Sequence, residues 1–227
     1  VINALSSEIK YSTEKSLTSG TYDPYIQYFY ALIAMACLFC TMTGARSACS
    51  LQANMSALGM RREAAATHKF IAIMADFAAV LLMQCIYFLM LIAYLTFILG
   101  INFGDRVGFV ILTGFVGNII GISAGFFIGC AVKKSVDTKV SICSAVSMIS
   151  CFLSGLMIHK MKDILEHTCP IINRINPATL ITDCLYALNM YDDFSRFTVN
   201  IATMLVMAVI FCIGSYLLLR RNNYADL

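Results

Sequence analysis

Five stretches of this chain are each long and apolar enough to cross a lipid bilayer, and this constrains the fold more than any other feature. A hydrocarbon core about 30 Å thick is spanned by roughly 20 mostly apolar residues in an α-helix. Tyr25–Thr43, Phe70–Leu99, Val107–Val132, Val140–Ile158 and Thr198–Leu219 meet that requirement. Every backbone amide in lipid needs an internal partner, which favours helices, and the alternating pattern of a barrel strand is absent. The expected fold is therefore an all-α membrane protein with five transmembrane helices. Composition agrees: 59% of residues are apolar and 13% charged, against about 45–50% and 25% in soluble domains. An ordinary soluble enzyme, a disordered chain and a free nucleic-acid-binding domain are excluded.

The connections carry the orientation signal, because Lys and Arg accumulate on the cytoplasmic side. Arg46, Arg61, Arg62, Lys69, Lys133, Lys134, Lys139, Arg220 and Arg221 fall on one side with few acids. Lys10, Lys15, Arg106, Lys160, Lys162, Arg174 and Arg196 fall on the other, where acids outnumber them. The first side is expected to be cytoplasmic, with the C-terminus inside and the N-terminus of this chain outside. An external stretch Val1–Asp23 with no signal peptide before it leads to a further expectation. Residues 1–24 would be the external tail of a missing N-terminal region, and 25–227 the transmembrane domain of a protein with at least six spans. Asp23-Pro24 has the form of a helix start, followed by Tyr25, Tyr28, Phe29 and Tyr30 as an interfacial aromatic belt.

Between the fourth and fifth spans, His159–Phe197 is polar and broken by Pro170 and Pro177. Within it Ala178–Met190 is a short apolar run at helical spacing, suited to an interfacial or re-entrant helix. Of the ten cysteines, most lie inside spans, where Cys serves as a small apolar residue. The Cys37/Cys40 pair sits mid-span without a second pair or a nearby His, so no metal site is expected. Cys169 and Cys184 are both assigned outside, and sequence leaves their pairing open.

Three features inside or near the spans are candidates for packing or function. Gly117, Gly121, Gly125 and Gly129 recur every four residues, a spacing that lets another helix backbone approach closely. That seam is either structural or one that moves, and Asn118 beside it is expected to bond across helices. Ser144, Ser147, Ser150 and Ser154, with Ser141, lie on one half of the fourth span, opposite Ile142, Val146, Ile149, Leu153 and Leu156. Such a hydroxyl face either packs tightly or lines a pathway. Asp76, the carboxylate inside a span, lies roughly 10 Å along the helix from Lys69; a structural place at the interface and a proton or substrate role both fit. The connection Arg46–Lys69 is long, with Ala48, Leu51, Met55 and Leu58 at helical spacing before Gly59 and Arg61-Arg62. It suits a surface-lying basic helix or an apolar knob offered to a partner.

These residues resemble the permease subunits of ABC transporters of the ABC-2 type. The stretch Leu51-Gln-Ala-Asn-Met-Ser-Ala-Leu-Gly-Met-Arg-Arg62, continuing to Ala65-Ala-Thr-His-Lys69, is similar to that family's connection between its second and third spans. Phe152-Leu-Ser-Gly-Leu156 resembles the motif closing its fifth span, Asn176-Pro177 with the run to Leu188 its external re-entrant segment, and Arg220-Arg221 its C-terminus. The family's proline near the start of the next span is replaced here by Ala65 or Ala66. The resemblance implies that Arg46–Lys69 is the coupling helix, with Leu51, Met55, Leu58, Arg61 and Arg62 meeting an ABC ATP-binding subunit. It implies an exporter of the plasma membrane that works as a homodimer or heterodimer of permeases, with the first and fourth spans flanking the pathway. Ser144, Ser147, Ser150 and Ser154 would then line it. No GxxxxGK[ST] phosphate loop is present, so ATP and Mg are expected on the partner and no cofactor on this chain. Membrane lipid is the other expected contact, and nucleic acid is not.

Two other classes are weighed against this reading. One is a non-transporting membrane anchor or sensor. The other is an intramembrane hydrolase built on Ser154 and His159, which lacks the triad geometry and the preceding glycine.

Overall fold

The computed structural model describes residues 24–52, 55–64, 69–101, 106–156, 165, 170–190 and 194–221. The stretch Val1–Asp23 with its Asp23 cap, Cys169, and the histidines at 68, 159 and 167 lie outside the described residues. The helices are α1 (Pro24–Leu51), α2 (Ala57–Ala64), α3 (Lys69–Ala93), α4 (Val107–Ala131), α5 (Val136–Leu153), α6 (Pro170–Ile175), α7 (Pro177–Met190) and α8 (Ser195–Arg221). Among the described residues there is no strand. Five of the helices, α1, α3 (with the turn that follows it), α4, α5 and α8, are long and apolar enough to cross a membrane.

The bundle is built on α1 and α4, which pack on each other more extensively than any other pair. In the most apolar window of each, 56% is buried, against 17–22% for α3, α5 and α8. The outer three helices turn large apolar side chains outward, among them Leu82, Met90, Ile149, Val206 and Ile210, each more than half exposed. A surface of that size in water would be an association site; on helices long and apolar enough to cross a membrane it suits lipid or a neighbouring membrane helix.

Helix ends follow from local chemistry. The fourth span, expected to run from Val140 to Ile158, instead starts at Val136 and ends at Leu153. At its start Ser135 accepts a hydrogen bond from the Thr138 amide at 3.4 Å, and Asp137 lies in the first turn, where the helix dipole favours negative charge. At its end Gly155 takes φ +95°. The Gly155 amide donates to the Phe152 carbonyl (3.2 Å) and the Leu156 amide to the Cys151 carbonyl (3.2 Å). That pair of bonds is a Schellman stop, and glycine occupies its left-handed position without steric cost. The earlier start has a consequence: Lys139, expected in a connection, falls inside the helix.

At the far end of α3 the backbone widens into a π-helical turn over Tyr94–Ile98. Gly100, with φ +66°, then ends the element. The first span also departs from expectation. Helix α1 continues eight residues past Thr43 to Leu51, so the anticipated surface helix through Ala48, Leu51, Met55 and Leu58 is divided between α1 and α2. Gln52 breaks the regularity, with its amide on the Cys49 carbonyl at 3.2 Å.

Helix α7 has 14 residues, which at 1.5 Å each reach about 21 Å. That is short of a crossing, yet Ala178, Leu180, Ile181, Cys184, Leu185 and Leu188 are all buried. It packs on α1, α4, α5 and α8, so it enters the bundle from the end where α5 stops.

Candidate functional site

The seam between α1 and α4 is made by small residues on both sides. A Cβ on Gly121 would lie 2.6 Å from the Cys37 carbonyl oxygen, and one on Gly125 would run into the Thr41 carbonyl. At Gly129 it would meet the Ala48 Cβ at 2.9 Å, and at Gly117 the Ile181 side chain at 3.0 Å and Cys37 at 3.2 Å. All four glycines of the row therefore face α1, with α7 adding Ile181. The facing surface of α1 is Cys37, Cys40, Thr41, Gly44, Ala45 and Ala48. Gly44 completes it from the other side, since a Cβ there would lie 2.6 Å from the Ile122 carbonyl. A single glycine without a partner in sequence carries no spacing signal, which is why Gly44 escapes a reading of the chain alone. The Cys37/Cys40 pair belongs to this seam: Cys40 Sγ donates to the Cys37 carbonyl (2.6 Å) and the Asn118 carbonyl (3.5 Å). Asn118 is 2% exposed and bonds across helices through its backbone carbonyl, while its Nδ2 has no hydrogen-bond partner among the described residues.

The serine face of α5 turns toward α1 and α7. Ser147 is buried; it donates to the Leu38 carbonyl at 3.1 Å and shares a hydrogen bond with Thr41 at 2.9 Å. Ser154 is buried against Thr182 of α7, oxygen to oxygen 3.0 Å. Ser144 and Ser150 are half-buried, and Ser141 is exposed. The Ser150 carbonyl receives Asn176 Nδ2 at 2.8 Å, while Asn176 Oδ1 accepts the Ala178 amide at 3.0 Å and so caps α7. Thr41 thus stands at a three-helix junction: its carbonyl abuts Gly125 and its hydroxyl meets Ser147.

Asp76 is half-buried near the α2 end of the bundle, where Ser50 Oγ donates to its Oδ2 at 3.4 Å. Gln84 Nε2 donates to Thr43 Oγ1 at 3.2 Å, a second polar tie between α3 and α1.

The residues expected to meet a partner are not equivalent. Leu51 is the last residue of α1 and packs against the cluster of Cys40, Ala48, Ile122, Phe126 and Cys130. Met55 lies half-buried in the turn before α2. On α2 itself, Leu58 is 48% and Met60 57% exposed, and Arg61 is exposed. Arg62 lies in the same helix. Met60 was not anticipated, because the spacing was read for one continuous helix. Ser56 caps α2 by accepting the Gly59 amide at 2.9 Å, and its hydroxyl donates to the Ser50 carbonyl at 2.9 Å. The cap holds α2 against the end of α1.

A seam of small residues between two central helices, hydroxyls between α5 and α1, a buried short helix and an exposed apolar-basic helix at the opposite end together describe a multi-pass membrane component. The family model described as ABC-2 family transporter protein matches residues 1–217. The chain belongs to the ABC-2 transporter family. It is therefore an integral, multi-pass membrane permease of an ABC transporter, a membrane component of transport. Comparison with curated proteins and with solved structures gave no match.

In this permease Cys184 is a free thiol, fully buried on α7. Burial, with Asp183 beside it, pushes the thiol up to about 12. Thiolate is the reactive form, so Cys184 is expected to resist maleimide at pH 8 in the folded permease and to react on unfolding. Peptide mapping by mass spectrometry reads this directly; rapid modification of Cys184 in the folded chain would show that α7 is not seated as described.

Proposed function

We propose that this permease is the membrane subunit of an ATP-driven exporter and that α2 is its coupling helix. The carrying observation is the exposure of Leu58, Met60 and Arg61 on a capped eight-residue helix. That helix hangs on the ends of α1 and the turn after it. A small apolar knob with Arg61 exposed beside it suits a cleft on a separate ABC ATP-binding subunit, where ATP and Mg would reside. The α2 end is then cytoplasmic and the α7 end external, in the plasma membrane. Two permeases, identical or paired as a heterodimer, would enclose the pathway, consistent with two-fold closure as the commonest assembly. Ser144 and Ser150, half-buried in one chain, are the serines available to line it; Ser147 and Ser154 already bond within the chain. Different affinities of two conformations for ATP on the partner would drive the cycle.

The test is to seek an ABC ATP-binding subunit in the coding sequence neighbouring this permease and to measure its capture by tagged permease in detergent. Leu58→Asp and Met60→Asp are each expected to lower capture about tenfold or more, ~1.4 kcal/mol, with the melting temperature of the permease unchanged. Leu51→Asp is less specific, since half-buried Leu51 also packs against the cluster of Cys40, Ala48 and Phe126. Wild-type capture by both α2 variants would refute α2 as the docking element.

A further inference from the structure

Lys139 of α5 is 1% exposed. A buried cation is costly unless its donors are satisfied. Its two hydrogen bonds both go to uncharged groups: Nζ donates to the Gly129 carbonyl at 2.7 Å and to Gln52 Oε1 at 3.1 Å. Gln52 is buried too, and its Nε2 donates to the same Gly129 carbonyl at 3.0 Å. The three groups form a closed triangle. Gly129 lies in the last turn of α4, whose carbonyls have no partner within the helix. Gln52 directly follows the last residue of α1. The positive charge therefore sits at the C-terminal ends of two helices, where their dipoles favour it. That arrangement explains how a lysine is accommodated there with no carboxylate partner among the described residues.

Gln52 also has a second set of bonds. Its backbone carbonyl accepts the amides of Met55 (3.1 Å) and Ser56 (3.2 Å), which form the turn into α2. One residue thus holds α2 through its backbone and the ends of α4 and α5 through its side chain. We infer that Gln52 and Lys139 are positioning residues, which tie α2 to α4 and α5 so that a displacement of α2 moves the bundle instead of bending the elbow after Leu51. The purpose of the tie in transport rests on α2 being the docking element; the geometry it imposes does not.

The experiment therefore needs no ATPase. Spin labels carried on a ketone-bearing amino acid at Met60 and Ile149, 57% and 59% exposed, leave the ten native cysteines in place. Double electron–electron resonance on the full chain in lipid nanodiscs then reads the distance from α2 to α5. The wild type is expected to give one narrow distribution. Gln52→Leu and Lys139→Met should each broaden it roughly twofold, as a short untied elbow samples more space. The double variant should be no broader than Gln52→Leu, which already removes both side-chain bonds that Gln52 makes. Gln52→Glu keeps an acceptor for Lys139 and should restore the wild-type width; Gln52→Leu fills similar space without the hydrogen bonds, so its broadening excludes a merely space-filling role. Should Lys139→Met fail to fold, Gln52→Leu, which leaves Lys139 on the Gly129 carbonyl, decides alone. A broad wild type, or a Gln52→Leu distribution as narrow as wild type, overturns the inference. Neither result depends on capture of the ATPase, so failure of the docking reading remains separately visible.

Discussion

Gly125→Ala is expected to destabilise the permease by about 2 kcal/mol, although alanine is the better helix former. Two effects oppose each other. Replacing a mid-helix glycine gains roughly 0.5–1 kcal/mol from helix propensity. The added methyl, however, would overlap the Thr41 carbonyl, and overpacking costs typically 1–3 kcal/mol. The upper end applies because the obstacle is backbone, which cannot rotate away like a side chain. Helix α1 would have to retreat along its length, loosening Gly121 against Cys37 and Gly44 against Ile122 as well. Gly108→Ala is the matched control, since nothing lies within 4 Å of a Cβ there; it should melt at or slightly above the wild type. Thermal melts in one detergent compare the three proteins. A Gly125→Ala variant as stable as Gly108→Ala would mean that α1 and α4 are not in the contact described.

Asn176→Ala is expected to cost a similar amount at the opposite end. Asn176 is 6% exposed and serves two helices: its Oδ1 caps α7 and its Nδ2 reaches the Ser150 carbonyl of α5. Loss of an N-cap costs about 1 kcal/mol, and loss of a hydrogen bond about another 1, for a total near 2. Asn176→Ser keeps a capping oxygen but is too short for Ser150, so it should recover about half of the loss. The reading is specific to α7 if Cys184 is followed at the same time. Its protection from maleimide should fall in Asn176→Ala and partly return in Asn176→Ser. Unchanged protection in Asn176→Ala would show that α7 is held by its apolar contacts alone.

Much of this molecule is legible without coordinates where the signal is local. A span announces itself because lipid demands about 20 apolar residues in a row, and Val107–Val132 matches α4 to within one residue. The stop at Gly155 is also present in the sequence, where Phe152-Leu-Ser-Gly-Leu156 resembles a motif that closes a span, although hydropathy carries that span on to Ile158. The run of apolar residues there hid a glycine whose conformation, not polarity, ends the helix. The same priority given to hydropathy placed the start of α5 at Val140. The capping signal of Ser135 and Asp137 would have put it four residues earlier and drawn Lys139 into the bundle.

What the sequence alone determined, then, is the set of membrane helices and the row of Gly117, Gly121, Gly125 and Gly129. Both depend only on residue type and spacing along one helix. The tertiary structure decided which neighbour each group meets. It put Cys37 and Gly44 across from that row, turned Ser147 and Ser154 inward onto Thr41 and Thr182, and left Leu58 and Met60 outside while Leu51 packed within. It also brought Lys139 and Gln52, 87 residues apart, onto one carbonyl. Such pairings depend on how helices far apart in the chain are arranged in space, and no periodicity within a single helix encodes them.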